Sequence, residues 1–299
     1  MHQSWIIGLQ GLQLSSQEKQ RLRDTPPLGV ILFARNTGSA EQTQALLDAV
    51  RQHTGQATWA AIDEEGGRVN RMPWPPFCHR KHPAEFGQLF DTNPQHALQE
   101  SYDDAYRVGL ALTDLGFTHN CAPVLDIFHP DGHGIIGQRA FSAKKETIIA
   151  LAHAVVQGYK AAGIDAVGKH FPGHGRANGD SHLTVPSAHA ELPTLLHEAD
   201  IFSQVAQHGL QHLMSAHVIY PNVSPEIATF SRHWLHTILR EHFNFEGTIW
   251  SDDLCMRGAG DEIIASLKQA KRAGCDILLI CEPQQVANCY QALELGQLS

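Results

Sequence analysis

The chain has 299 residues, 42% of them apolar, and carries 22 Lys and Arg against 31 Asp and Glu, a formal charge of −9. That composition is ordinary for a globular protein and excludes a disordered tract or a fibrous repeat. The acidic balance, with no Lys/Arg-rich run, excludes nucleic acid as a partner, and apolar runs such as Ile277 to Cys281 fall far short of the roughly 20 residues that span a bilayer.

Short β-rich apolar runs alternate with longer stretches of helical period, the pattern of βα units around a parallel sheet. In chain order, strands are expected at Trp5 to Leu9, Gly29 to Ala34, Thr58 to Ile62, Phe117 to Ala122, Ala166 to His170, His212 to Ala216, Thr248 to Ser251 and Asp276 to Cys281. Apolar residues at intervals of three or four predict intervening helices around Leu46 and Val50, Leu98 to Leu112, Ile148 to Tyr159, Leu195 to Ala206 and Ile263 to Ala270, with a last one over Pro283 to Leu293. Eight units without a composition break predict an α/β fold, a single (β/α)8 TIM-type barrel over residues 1–299. The Pro- and aromatic-rich span from Arg71 to Gln95 interrupts the alternation and is expected to be an excursion over the barrel mouth. The start, Met1-His2-Gln3-Ser4-Trp5, has no charged n-region or long apolar stretch, and six cysteines are scattered without a CxxC pair. Both features point to a cytoplasmic chain with reduced core thiols.

In such a barrel the active site gathers at the C-terminal ends of the strands. Asp63-Glu64-Glu65-Gly66-Gly67-Arg68 follows the third strand, the fourth runs toward Asp126, the fifth ends in Lys169-His170, the sixth at His217 and the seventh in Asp252-Asp253. Any one of these could be a capped helix start or a solvated loop charge, but five strand ends of eight carrying such groups together point to a site. The glycine-rich loop after the fifth strand leads through His174 to Asp180-Ser181-His182, and its glycines Gly173, Gly175 and Gly179 predict mobility. His170 and His174 have the spacing of a helical zinc pair, but Pro172 and Gly173 break the helix it requires and no HExxH occurs, so neither metal nor cofactor is expected. A metal-dependent barrel hydrolase using His170, His174 and His182 is the alternative from another enzyme class. Asp180 can orient the His182 imidazole and favour its protonated form, which suits a general acid and base; a plain polar surface loop is the competing reading. Gly66-Gly67 lies outside the phosphate-binding frames and reads as a turn presenting Asp63, Arg68 and Arg71, donors and acceptors suited to a polyhydroxylated ligand.

Taken together, Ala61 to Arg71, Lys169 to His174 with Asp180-Ser181-His182, Met214-Ser215-Ala216-His217 and Ser251-Asp252-Asp253-Leu254 resemble the signature blocks of glycoside hydrolase family 3, in particular its bacterial β-N-acetylglucosaminidases of peptidoglycan recycling. The resemblance implies a retaining mechanism on a TIM barrel, with Asp252 as nucleophile and His182, held by Asp180, as acid/base. It implies that Asp63, Arg71, Arg139, Lys169 and His170 bind the terminal sugar. The implied substrate is a small carbohydrate or muropeptide and the implied state a monomer. A β-glucosidase, a GlcNAc-releasing phosphorylase and a sugar-binding barrel without catalysis are the variants to be separated. Cys255 stands where these enzymes commonly carry a serine or another small residue, and the chain stops about one helix short of many single-domain members.

Overall fold

The computed structural model describes residues 1–55 and 57–298. Its strands are β1 (Trp5–Gly8), β2 (Gly29–Leu32), β3 (Trp59–Ile62), β4 (His119–Asn120), β5 (Asp165–Phe171), β6 (His212–Ser215), β7 (Ile219–Tyr220), β8 (Ser224–Ile227), β9 (Thr248–Asp253) and β10 (Ile277–Ile280). Eight of them close into a parallel barrel in the order β1-β10-β9-β6-β5-β4-β3-β2, while β7 and β8 form a separate antiparallel hairpin. Closure follows from β1, which pairs in register with β2 through Ile6 and Gly29 and with β10 through Trp5 and Leu278. Alternate residues then point inward, and Ile6, Ile31, Ala61, Val167, Met214, Trp250 and Leu279 fill the interior as one buried cluster. The fold is the expected (β/α)8 barrel.

The helices are α1 (Ser16–Asp24), α2 (Ala40–Thr54), α3 (Pro83–Thr92), α4 (Pro94–Leu115), α5 (Lys145–Ala161), α6 (Leu192–Gln207), α7 (Ile263–Ala273) and α8 (Pro283–Glu294). A segment of π-helical winding, His233–His242, fills the outer layer between β6 and β9. Local chemistry explains the boundaries. Ser15 and Glu18 form a capping box at the start of α1, and α2 buries Leu46, Leu47 and Val50 before stopping at Gly55, whose φ of 65° suits glycine.

Within the span from Arg71, Met72 and Phe77 are buried in the outer core, and Pro83 opens α3 because its ring fits the first helical turn. One expectation needs correction. The fourth strand is shorter than Phe117 to Ala122, since the chain turns at Pro123, which has no N–H to donate, and Val124 rejoins β5 through a single bridge to Lys169.

Two strands carry an extra residue near their C-terminal ends. Lys169 pairs with Met214 and Phe171 with Ser215, so His170 is the bulged residue of β5; Trp250 pairs with Ile277 and Asp253 with Leu279, so β9 bulges at Ser251-Asp252. A bulge breaks alternation and lets neighbouring side chains face the same way.

Helix α3 packs against the short turn Gly137–Arg139, and a Cβ on its Gly87 would meet the Phe141 carbonyl oxygen at 1.7 Å. Gly87→Ala should therefore destabilise the protein by about 1–3 kcal/mol despite the better helix propensity of alanine, read as a lower melting temperature. An unchanged melting temperature would mean that α3 is not held against this segment.

Candidate active site

A cavity of about 420 Å³ opens at the C-terminal end of the barrel, within the size range of small-molecule sites. Of the residues singled out from sequence, Asp63, Arg71, Arg139, Lys169, His170, His182 and Asp252 all line it, and Asp180 stands behind His182. A neighbouring cleft of about 410 Å³ shares Arg35 and Glu282 with it but has no imidazole in its wall, so chemistry and not volume distinguishes the two.

The floor of one side is a buried charge cluster. Lys169 Nζ donates to Asp63 Oδ1 at 2.7 Å and lies 2.6 Å from Glu65 Oε1. Arg139 grips Glu65 with both arms of its fork, Nε to Oε2 at 2.8 Å and Nη2 to Oε1 at 2.7 Å. Arg71 reaches Asp63 Oδ2 at 3.3 Å. Burial opposes ionisation of Asp63 and Glu65, but the facing Lys169, Arg71 and Arg139 charges outweigh it and hold both carboxyls below their ordinary range. Glu65, not singled out as a site residue from sequence, is thus the anchor of Arg139 and Lys169.

Behind His170 stands Asp126, also fully buried. Its Oδ2 lies 2.7 Å from His170 Nδ1, and its Oδ1 accepts from the backbone N–H groups of His170 at 3.3 Å and His174 at 2.7 Å. Nδ1 is thereby engaged, which leaves Nε2 of His170 as the nitrogen available to a ligand. The placement of Asp126 after the fourth strand was the signal for it, but its partner on β5 could not be read from sequence.

The two adjacent carboxylates of β9 differ. Asp253 Oδ1 accepts from the N–H groups of Cys255 and Cys281, both at 3.0 Å, and burial pushes its carboxyl upward. Among the described residues Asp252 takes one hydrogen bond, from the Asp253 N–H at 2.8 Å. Burial opposes its ionisation too, but the neighbouring His217 and His170 and that N–H outweigh it, so it stays below its ordinary range. His217 is itself fixed at both nitrogens, by Thr229 Oγ1 at 3.0 Å and by the Asp253 carbonyl at 3.0 Å. Both line the cavity, but Asp253 is a structural acceptor and Asp252 is the carboxylate of the pair with capacity to spare.

His182 sits on the loop after β5, and Asp180 Oδ1 takes both its backbone N–H, at 2.9 Å, and its Nδ1, at 2.7 Å. The loop is better anchored than its glycines suggest. Ser181 is buried, its carbonyl accepts from the Gly258 N–H at 2.8 Å and its hydroxyl lies 3.3 Å from His174 Nε2, while the tip beyond, at Leu183, is 76% exposed. Further lining residues carried no sequence signal. Phe33, for instance, receives Arg35 and Arg71 over its ring at 4.8 and 5.6 Å.

A parallel barrel that gathers carboxylates, imidazoles and cations at its C-terminal mouth is an enzyme of the (β/α)8 class. Comparison supplies the family. The model described as the glycosyl hydrolase family 3 N terminal domain matches residues 4–299, and the chain belongs to that family; it is a glycoside hydrolase. The chain is 36% identical over 286 residues to a beta-hexosaminidase of Methylobacillus flagellatus, covering 95% of this chain and 81% of that one. It is 37% identical to the beta-hexosaminidase of Bordetella avium with the same coverage. Among solved structures it resembles NagZ from Neisseria gonorrhoeae in complex with N-trifluoroacetyl-D-glucosamine, with a TM-score of 0.88, 33% identity, and coverage of 95% of this chain and 83% of that one.

The charge cluster makes folding sensitive to acid. With Glu65 ionised below its ordinary range in the folded protein, its stabilising contribution is complete above about pH 4.3 and is lost as pH falls toward the folded value. Melting temperature followed from neutral pH downward should fall through this region, and Glu65→Gln, already less stable at neutral pH, should lose less of its remaining stability on acidification. Parallel curves for the two proteins would show that Glu65 is not part of the acid response.

Proposed function

We propose that this protein is a retaining exo-acting β-N-acetylglucosaminidase that releases nonreducing terminal GlcNAc from muropeptide fragments through a covalent glycosyl-enzyme intermediate, acting as a monomer in the cytoplasm with no metal or cofactor in the reaction. The observation that carries the reading is the pairing, across one cavity, of an ionised carboxylate with few partners, Asp252, and an imidazole backed by a carboxylate, His182 on Asp180. Asp252 attacks the anomeric carbon while His182 Nε2 gives its proton to the departing oxygen. The same imidazole then takes a proton from the water that hydrolyses the glycosyl ester. A histidine in place of the usual second carboxyl suits a site already holding Asp63, Glu65, Asp252 and Asp253, because an imidazole adds no negative charge to repel the nucleophile.

Sugar recognition falls to groups with capacity to spare. Asp63 and Arg71 remain partly exposed and can accept from and donate to adjacent hydroxyls, and His170 offers Nε2. Lys169 and Arg139 act mainly through the cluster, since most of their donors are already engaged. The names of the relatives support the hexosaminidase activity, and six free thiols agree with a reducing compartment. The test is a panel of aryl β-glycosides of GlcNAc, GalNAc, glucose and xylose, assayed with and without phosphate. Turnover of the GlcNAc substrate to free sugar in the absence of phosphate supports the reading, whereas a requirement for phosphate or a preference for glucose overturns it.

Asp252→Ala should lose nearly all turnover and remain folded, while a 2-fluoro sugar should label Asp252 in the parent protein, as seen by mass spectrometry. Asp253→Ala should instead lose about 1–3 kcal/mol of stability, because two N–H groups lose their acceptor. An inactive Asp253 variant beside an active Asp252 variant would reverse the two roles.

In His182→Ala, substrates with poor leaving groups should lose far more rate than activated aryl glycosides, since only the former need a proton on the departing oxygen. Asp180→Asn should move in the same direction, because the carboxylate that orients the imidazole is lost. Equal losses for good and poor leaving groups would leave His182 a binding residue and place the proton donor elsewhere.

A further inference from the structure

The opposite end of the barrel holds an arrangement the reaction does not use. His119 on β4 pairs in register with Ala61 on β3 and with Asp165 on β5, while His212 on β6 pairs with Val167. Ala61 and Val167 belong to the interior cluster, so the alternation of the strands turns His119, Asp165 and His212 into the barrel near its N-terminal end, with the imidazoles against the indoles of Trp59 and Trp250. Barrel interiors are ordinarily filled by branched apolar side chains. Here two imidazoles stand edge to face with ring centres 4.9 Å apart, and each residue offers a ligand atom within 4.8 Å of those of the other two.

Trp250 Nε1 donates to His212 Nδ1 at 3.3 Å, so a metal would take the other nitrogen of His212 or displace that bond, whereas one atom of His119 has no partner at all. Thr118 Oγ1 lies 2.7 Å from His119 Nδ1 and engages that nitrogen. Nε2 of His119, in a side chain only 2% exposed, has no hydrogen-bond partner, and Asp165 Oδ2 stands 3.9 Å away. An outer hydroxyl fixing Nδ1 and an inner Nε2 aimed at a carboxylate and a second imidazole is the arrangement of a metal-binding histidine. The location also calls for one. β4 has two residues and joins each neighbour over two positions, which makes it the shortest strand of the barrel wall.

We propose that His119, His212 and Asp165 form a divalent-metal site, of a donor set suited to zinc, that ties the N-terminal ends of β4, β5 and β6 together. Two imidazole nitrogens and a carboxylate oxygen leave the fourth tetrahedral position to water. A tetrahedral ion needs its ligand atoms about 3.3 Å apart, and the Asp165 carboxylate, 63% exposed, can swing to close the site and give the ion its entry path. The ion would be structural, since the cavity with Asp252 lies at the other end of the barrel.

The experiment uses the full chain carrying His182→Ala, which removes an imidazole of the catalytic cavity that could hold zinc on its own account. After stripping with EDTA, zinc chloride is titrated by calorimetry and the melting temperature is read with and without zinc. Equimolar uptake with a raised melting temperature is expected, as is loss of both on adding His119→Gln or Asp165→Asn, by more than the roughly 10- to 100-fold that follows loss of an outer partner. Should His119→Gln fail to fold, Asp165→Asn carries the test alone. No zinc uptake in the His182→Ala protein, or uptake and thermal shift unchanged by Asp165→Asn, would overturn the site without touching the glycosidase reading.

Discussion

Asp63, Glu65, Lys169 and Arg139 hold two negative and two positive charges in one buried corner at the mouth of the barrel, and their mutual neutralisation constrains everything placed around them. Each ion taken out of water costs several kcal/mol, so a partner displaced leaves an uncompensated charge that is largely buried. Because the four come from the loop after β3, from β5 and from the turn before Ala140, that penalty fixes three chain segments relative to one another. Arg71 belongs to the same cluster but is its most solvent-accessible cation, which is why it, more than Arg139, has donors left for a ligand.

A second constraint comes from the strands themselves. Regular alternation would let either Lys169 or His170 face the cavity, and either Asp252 or Asp253, but not both members of each pair. The bulges of β5 and β9 remove that restriction, and all four residues line the cavity. Each gained position then needs an acceptor or donor for the backbone the bulge disturbs. Asp126 takes the N–H of His170, and the Asp252 carboxylate takes that of Asp253.

This explains what could be read from sequence. The eight strands, six of the helices and the chemical residues at the strand ends follow from periodicity and position, both local properties. The bulges do not, because they depend on pairing with a neighbouring strand. Nor does the bond of Asp126 to His170 across 44 positions, or that of Glu65 to Arg139 across 74. The missed hairpin β7–β8 is two to four residues per strand, too short for alternation to register, and α1, with nine residues, buries only Leu22. The π-helical segment escaped because its winding departs from the 3.6-residue period that marks a helix.

Adjacent carboxylates of opposite behaviour show how one short strand serves both structure and chemistry. Asp253 is drawn to the Cys255 and Cys281 N–H groups and joins the end of β9 to the end of β10, so it is spent on holding the wall. Asp252, next to it, gains a rigid base without being tied down itself, and His217 and His170 keep it charged despite burial. The acid/base partner in the proposed mechanism needs the opposite mounting. A proton donor must reach leaving groups of varied shape, and His182 stands at the exposed end of a loop whose root is pinned by Ser181 and Gly258. Fixing the nucleophile on the barrel and the acid on a tethered tip separates bond making, which depends on a constant geometry at the anomeric carbon, from protonation, which must follow the departing oxygen.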